Sequence, residues 1–244
     1  MPSSSLQSSK AELNYESEWD ATKRIPPNRK SMKKPQAVIF DMDGVIVDSE
    51  PLHQRAFLQV FDEIGHHRNH GIDFPAYYGK SDLAVWHDFI ATHRPAQSLE
   101  ELTTNKERRF AVLLREEEPI FEGLIELLEK LAGKYFLALA SGSRHATIDV
   151  VLALRDLRRF FPVVVSSEDV ADGKPAPDVF LRTAELLDVA PAGCCVIEDS
   201  EAGVEAGIAA GMTVIGITNS LPAEKLARAT NVVTTYDEIE RLLL

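Results

Sequence analysis

The sequence predicts a doubly wound parallel α/β sheet carrying a large helical insert. Three observations lead there. Short apolar runs at 37–40, 136–140, 162–165, 194–197 and 213–217 have the length and composition of buried parallel strands. Helical spacing of apolar residues fills most of the intervals between them, and strands that alternate with helices build a parallel sheet. The interval after the first run breaks the pattern, because residues 65–120 contain no convincing strand. A single crossover helix needs far less chain than that. At 244 residues the chain can hold one large domain, or a core plus a smaller insert. The expected partition is a tail over 1–35, a core over 36–50 and 121–244, and an inserted α-helical cap over 51–120.

Composition narrows the function classes. With 26 Lys and Arg against 38 Asp and Glu, the net charge is -12, which argues against a nucleic-acid partner. No apolar run approaches the roughly 20 residues that a membrane-spanning helix needs. Cys194 and Cys195 are adjacent, so a bond between them would be badly strained. Two core thiols in a reducing compartment are expected instead, and with them a cytoplasmic protein. They have no His partners at zinc-site spacing.

In chain order, residues 1–35 hold seven Lys and Arg against four acids, with weak apolar periodicity, and read as a mobile tail. The first strand, Ala37–Phe40, stops at Asp41, Asp43 and Gly44, since Asp is a poor strand former and Gly suits a turn. Carboxylates two residues apart at a strand's C-terminal end sit where open α/β sheets bind ligands. They repel each other unless a cation or a shared proton relieves them, and an all-oxygen site suits Mg2+. A surface turn with two solvated acids fits the local pattern equally well, and only partners downstream decide.

Ser49-Glu50-Pro51 begins a helix, with Ser49 as its cap and Leu52, Ala56, Val60 and Ile64 on one face; Gly65 ends it. His53, in its first turn, could hold the Asp43 carboxylate or lie on the surface. Within the insert, Leu83, Trp86, His87 and Ile90 suggest one helix, and Phe110, Leu113 and Leu114 another. Gly79-Lys80-Ser81-Asp82 is the stretch expected to face the site: Lys80 could meet phosphate or a sugar oxygen, while a plain helix cap explains Ser81 and Asp82. His66, His67 and His70 fall in a polar loop. A helix over 124–131 ends at Gly133 and leads to the strand Phe136–Ala140. Ser141, Gly142, Ser143 and Arg144 follow, a hydroxyl-rich helix start able to bind phosphate oxygens, with Ser143 also suited to capping. After the strand Pro162–Val165, Lys174 lies in a Gly/Pro loop that would fix its ammonium. A helix over 177–187 precedes the strand Cys194–Ile197, which ends in Glu198 and Asp199. Two acids closing a buried run are costly unless they meet a cation. Ser200 caps a small-residue helix, Thr213–Ile217 is the fifth strand, and Val232–Thr235 a short edge strand.

Taken together, Asp-Met-Asp-Gly-Val (41–45), Ala-Leu-Ala-Ser-Gly-Ser (138–143), Gly-Lys-Pro-Ala-Pro (173–177) and Val-Ile-Glu-Asp-Ser-Glu-Ala-Gly (196–203) resemble the four motifs of haloacid dehalogenase-type phosphohydrolases. The likeness points to the sugar phosphatase and β-phosphoglucomutase-like branch and covers residues 36–218. It implies a Rossmann-like core under a helical cap, Asp41 as nucleophile, and Asp43 as general acid and base. It further implies Ser141 and Lys174 on the transferring phosphoryl group, and Mg2+ held by Asp41, the carbonyl of Asp43 and Asp199, with Glu198 orienting a bound water. Gly142, Ser143, Arg144, His53 and Lys80 complete the expected substrate-contacting set. The expected partner is a small phosphorylated metabolite, a sugar phosphate in particular, bound to a monomer with no membrane or nucleic-acid role. An acid at position 43 disfavours dehalogenation, since dehalogenating relatives lack it. The alternatives are a phosphomutase and, further off, a phosphonate-cleaving hydrolase using Lys80. Known mutases carry an Arg shortly after the cap glycine, where this chain has Lys80, Ser81 and Asp82. A signalling receiver, about half this length and capless, and an inactive binding protein fit less well.

Overall fold

β1 (Ala37–Phe40) is the strand on which the sheet is built. It pairs in parallel with β2 (Phe136–Ala140) on one side and β4 (Cys194–Glu198) on the other. With β3 (Val163–Val165), β5 (Thr213–Ile217) and β6 (Asn231–Val233) the order is β3-β2-β1-β4-β5-β6, every pairing parallel. The chain winds outward from β1 to β3 and then resumes on the far side of β1. That reversal opens a crevice at the C-terminal ends of β1 and β4, the usual ligand position in open α/β sheets. The computed structural model describes residues 34–77 and 82–244. Most of the expected tail and the expected substrate contact Lys80, with Gly79 and Ser81, lie outside the described residues.

The apolar runs are continuous because both faces of the sheet are covered. Val38 and Phe40 of β1, with Cys195 and Ile197 of β4, face one apolar layer. Ala37, Ile39, Cys194 and Val196 face the other. The first layer is closed by α4 (Leu124–Ala132), α5 (His145–Ala153) and α8 (Tyr236–Leu243). The second is closed by α6 (Asp178–Leu186) and α7 (Glu201–Ala209). In α7 the small residues Gly203, Ala206 and Gly207 are buried, as close packing of that helix on the sheet requires.

Between β1 and α4 the described residues form α1 (Glu50–Glu63), α2 (Asp82–His93), α3 (Leu99–Glu117) and one 3-10 turn, with no strand among them. This helical insert has its own aromatic core of Phe57, Phe61, Phe74, Trp86 and Phe89. The lower turns of α1 and α3, through Leu52, Ala56, Phe110, Leu113 and Leu114, pack in the sheet-side layer instead.

The elements differ from the sequence reading in three places. α2 buries Val85, Trp86 and Phe89, while Leu83 is 48% exposed and His87 also faces water. Stacking of Phe89 on Phe61, with ring centres 4.4 Å apart, and a tilted contact of Trp86 with Phe57 at 4.8 Å turn the helix towards its aromatic side. The edge strand ends at Val233 because the Thr235 hydroxyl caps α8, accepting from the Glu238 N–H at 3.3 Å. α8 itself was not anticipated, although Tyr236, Ile239 and Leu243 recur at helical spacing and are buried. No helix among the described residues is long and apolar enough to cross a membrane.

Both cysteines are free and buried in β4. Burial pushes the Cys194 thiol up to about 11 and the Cys195 thiol up to about 12. At pH 8 each is therefore almost wholly protonated, and the thiolate is the reactive species. Native protein at pH 8 is expected to show negligible reaction with a chromogenic disulfide reagent over minutes. The same sample in concentrated guanidinium should release two equivalents of chromophore at once.

Candidate active site

The crevice residues follow from the register. Phe40 lies beside Ile197, so the next residues of both strands emerge together, and the Asp41 N–H donates to the Ile197 carbonyl at 3.0 Å. Asp41, Glu198 and Asp199 thereby bring carboxylate oxygens within 4.8 Å of one another, all three buried. Lys174 reaches in from the loop after β3 and donates to Asp41 Oδ1 at 2.5 Å and Glu198 Oε1 at 2.6 Å. Glu198 is fully enclosed, a burial that costs an unpaired carboxylate several kcal/mol. Its second oxygen offsets this by accepting from the Asp199 and Ser200 N–H groups and the Ser200 hydroxyl, each at 2.9 Å. Ser200 caps α7 as expected, its Oγ accepting from the Gly203 N–H at 3.0 Å.

Asp43 stands apart from this cluster. Ser49 donates to its Oδ1 at 2.6 Å and Ser143 to its Oδ2 at 2.9 Å. The sequence reading gave Ser49 to helix capping and Ser143 to substrate contact, with capping as its alternative role. Neither caps: α1 has no side-chain cap bond, and α5 starts after Arg144. Both are taken up by the carboxylate. His53 Nε2 lies 3.8 Å from Asp43 Oδ1, so His53 is beside the site and not a surface residue. Ser141 is fully buried and accepts from the Ser143 N–H at 3.0 Å, while Gly142 between them is exposed. Arg144, by contrast, is not brought in. Its guanidinium is held outward by Glu168 at 3.1 Å and by Glu107 of α3 at 3.4 Å.

Sequence reasoning missed Lys106. It lies in α3 on the buried stripe of Leu102, Phe110 and Leu113, only 1% exposed. A lysine at that spacing was the available signal. Its ammonium lies over the rings of Phe57 and Phe110 and donates to Asp82 Oδ2 at 2.5 Å. It also donates to His53 Nδ1. An imidazole that accepts at Nδ1 carries its proton on Nε2, the nitrogen facing Asp43. His53 is stacked on Phe110, which fixes the ring plane. The helical insert thus touches the Asp43 side of the site through one oriented imidazole.

One ammonium among three carboxylates leaves an excess of negative charge, and the titration behaviour reflects it. Burial pushes Asp41 up; Lys174 pulls it back, Glu198 and Asp43 add to the rise, and the result is about 7. Burial, then Glu198 and Asp41, carry Asp199 well above the usual carboxylate range. For Lys174, burial disfavours the charge, but Asp41 and Glu198 outweigh it and keep the group cationic. Burial also raises Asp43, yet His53, Ser49 and Ser143 overcome it and bring it down to about 2. In this arrangement Asp43 is an ionised acceptor. The remaining cluster is what a hard divalent cation satisfies: oxygen donors only, buried, and under mutual repulsion that a cation relieves.

Fold and site together define an α/β enzyme with buried carboxylates and a lysine gathered near the strand ends. More narrowly, the chain belongs to the haloacid dehalogenase-like hydrolases, whose family model matches residues 35–211. It is 34% identical to the fructose-1-phosphate phosphatase YqaB of Escherichia coli over 193 residues, covering 74% of this chain and 95% of that one. It is 32% identical to the β-phosphoglucomutase of Bacillus subtilis over 217 residues, covering 82% and 92%. Among solved structures, a β-phosphoglucomutase from Clostridium difficile superposes with a TM-score of 0.70 at 26% identity, covering 86% of this chain and 97% of that one.

Gly203 offers a direct check on the packing of the cluster. A Cβ at this position would lie 1.7 Å from Glu198 Oε1, so α7 can approach Glu198 only without a side chain there. Gly203→Ala is expected to lower stability by about 1–3 kcal/mol, the usual cost of overpacking, in a guanidinium melt.

Proposed function

We propose that this protein is a Mg2+-dependent phosphatase that hydrolyses a small phosphorylated metabolite, a sugar phosphate, through an aspartyl-phosphate. The observation that carries the reading is the clasp of Lys174 on Asp41 and Glu198 beside Asp199. A carboxylate nucleophile and a phosphate monoester repel each other, and such chemistry needs fixed positive charge at the point of approach. Sugar phosphates are favoured because the relatives named above include a fructose-1-phosphate phosphatase.

In this reading Asp41 attacks phosphorus, the bond from phosphorus to the leaving oxygen breaks, and the phosphoryl group is carried on the Asp41 carboxylate. Asp43 gives a proton to the leaving alkoxide. Asp43 is ionised as it stands, accepting from Ser49 and Ser143, so it first takes up a proton from solvent, and those hydroxyls turn, before it acts as an acid. Asp43 then takes a proton from water, which attacks the aspartyl-phosphate and releases inorganic phosphate. Lys174 and Ser141 hold the transferring oxygens. Ser143, Gly142 and His53 line the approach, and Lys106 keeps the Nε2 proton of His53 towards Asp43. The side chains of Asp41 and Asp199 and the carbonyl of Asp43 would hold the metal, with Glu198 orienting a bound water. When bound, the cation supplies charge neutralisation at the phosphoryl oxygens.

A phosphomutase is the second reading, favoured by the likeness to the β-phosphoglucomutase of Bacillus subtilis. One assay separates the two. Phosphate release would be followed from hexose and pentose phosphates, phosphoglycolate and β-glucose 1-phosphate, with Mg2+ and with a chelator. Wild type is expected to release phosphate only with the metal, and Asp41→Asn to lose at least 1,000-fold in kcat, on the order of a removed nucleophile. Faster conversion of β-glucose 1-phosphate to glucose 6-phosphate than to free phosphate would favour the mutase. Metal-independent turnover surviving in Asp41→Asn would refute both.

A further inference from the structure

Three side chains near the C-terminal end of the sheet converge on the acidic centre without belonging to it. Asn219, just past β5, donates through Nδ2 to the Gly44 carbonyl at 2.8 Å. The Tyr236 hydroxyl, at the start of α8, donates to the Val45 carbonyl at 2.6 Å and accepts from Asn219 Nδ2 at 3.1 Å. Two successive carbonyls immediately after Asp43 are therefore gripped by a pair of side chains that also bond each other. Ser220, next to Asn219, places its Oγ beside the Asp199 carboxylate, both lying against Gly44. One short loop thus holds the Asp43 turn with one residue and stands against Asp199 with the next.

The turn has no slack against this grip. Gly44 has φ +74, and a Cβ there would lie 1.8 Å from Asp199 Oδ2 and 2.6 Å from Ser220 Oγ. The backbone after Asp43 is wedged against the Asp199 carboxylate on one side and tied back by Asn219 and Tyr236 on the other. Tyr236 is itself fixed, 7% exposed and packed beside Phe121 with ring centres 6.2 Å apart. The Val45 carbonyl is part of a tight turn whose N–H groups close on Met42 and Val47, so moving it moves Asp43.

We infer that Asn219, Ser220 and Tyr236 are positioning residues of the metal centre, setting the gap between the Asp43 turn and Asp199. The inference rests on the metal-dependent reading above and adds residues that lie outside its four motifs. None of the three touches the reacting atoms. Their effect is on how well separated oxygen donors are prearranged for one cation, which is a matter of affinity for the ion before it is one of rate.

The test is binding of Mn2+ alone to the full chain, followed by the loss of the free-ion electron paramagnetic resonance signal. Wild type would be compared with Tyr236→Phe, Ser220→Ala and Ser220→Thr, and far-UV circular dichroism would confirm that each is folded. Tyr236→Phe removes the bond to the Val45 carbonyl and one of the two acceptors of the Asn219 amide, so the Mn2+ Kd is expected to rise roughly tenfold. Ser220→Ala should raise it comparably, and Ser220→Thr, which keeps the hydroxyl, should restore it to within about threefold of wild type. If Tyr236→Phe and Ser220→Ala bind Mn2+ as wild type does while only their melting temperatures fall, the residues serve the fold alone and the inference is overturned. If wild type binds no Mn2+, the metal-dependent reading itself fails, an outcome distinct from the first.

Discussion

Three buried carboxylates share one ammonium at the end of the central strand pair, and the rest of the structure is arranged to tolerate that imbalance. A cluster of like charges in a low-dielectric crevice is unstable by itself. Here it is held because Lys174 bridges two of the three groups and Glu198 has donors on both oxygens. Glu198 takes Lys174, two N–H groups and a hydroxyl, Asp41 takes Lys174, and Asp199 has the Ser220 hydroxyl near it. The sheet forces the strand ends together, α7 supplies its first-turn N–H groups, and the loop after β3 delivers the cation. Substitution of any of these leaves a charge buried without its partner, which costs more than the pair contributes.

The helical insert addresses a different group. Among the described residues it has no share in the three-carboxylate cluster and reaches Asp43 through His53, itself held by Lys106, Asp82 and Phe110. The two sides of the site thus have separate supports. The sheet governs Asp41 and its charge balance, and the insert governs the group proposed to move protons. Arg144 ties the two bodies on the outside, linking the start of α5 to Glu107 of α3.

Much of this was legible in the sequence, because the sheet is built from apolar runs that need no tertiary context to be read. Asp41, Lys174, Glu198 and Asp199 each terminate or follow such a run, so placing the strands placed the residues. What could not be read was the direction of short side chains. Ser49 and Ser143 have the spacing of helix caps, and their choice of Asp43 depends on a carboxylate 6 and 100 residues away respectively. Lys106 was visible as a charge on an apolar stripe, but its burial depends on Asp82 and His53 arriving from other helices. Asn219 and Tyr236 act on backbone carbonyls, groups that every sequence contains and none advertises.

The pairing that creates the site is also among the most distant in the chain. Ala37 of β1 lies beside Cys194 of β4, and the bond from Lys174 to Asp41 spans 133 residues. On a ribosome adding about 5–20 residues each second, β1 waits many seconds before β4 exists to meet it. During that interval β2 can shield one edge of β1, but the other edge and the acids beyond it stay in water. The nascent chain therefore carries its charged groups apart and hydrated, and they become confined together only when β4 docks. Assembly of the carboxylate cluster is a late event of synthesis, and a chain stalled before residue 194 holds Asp41 without the surroundings that would make it the proposed nucleophile.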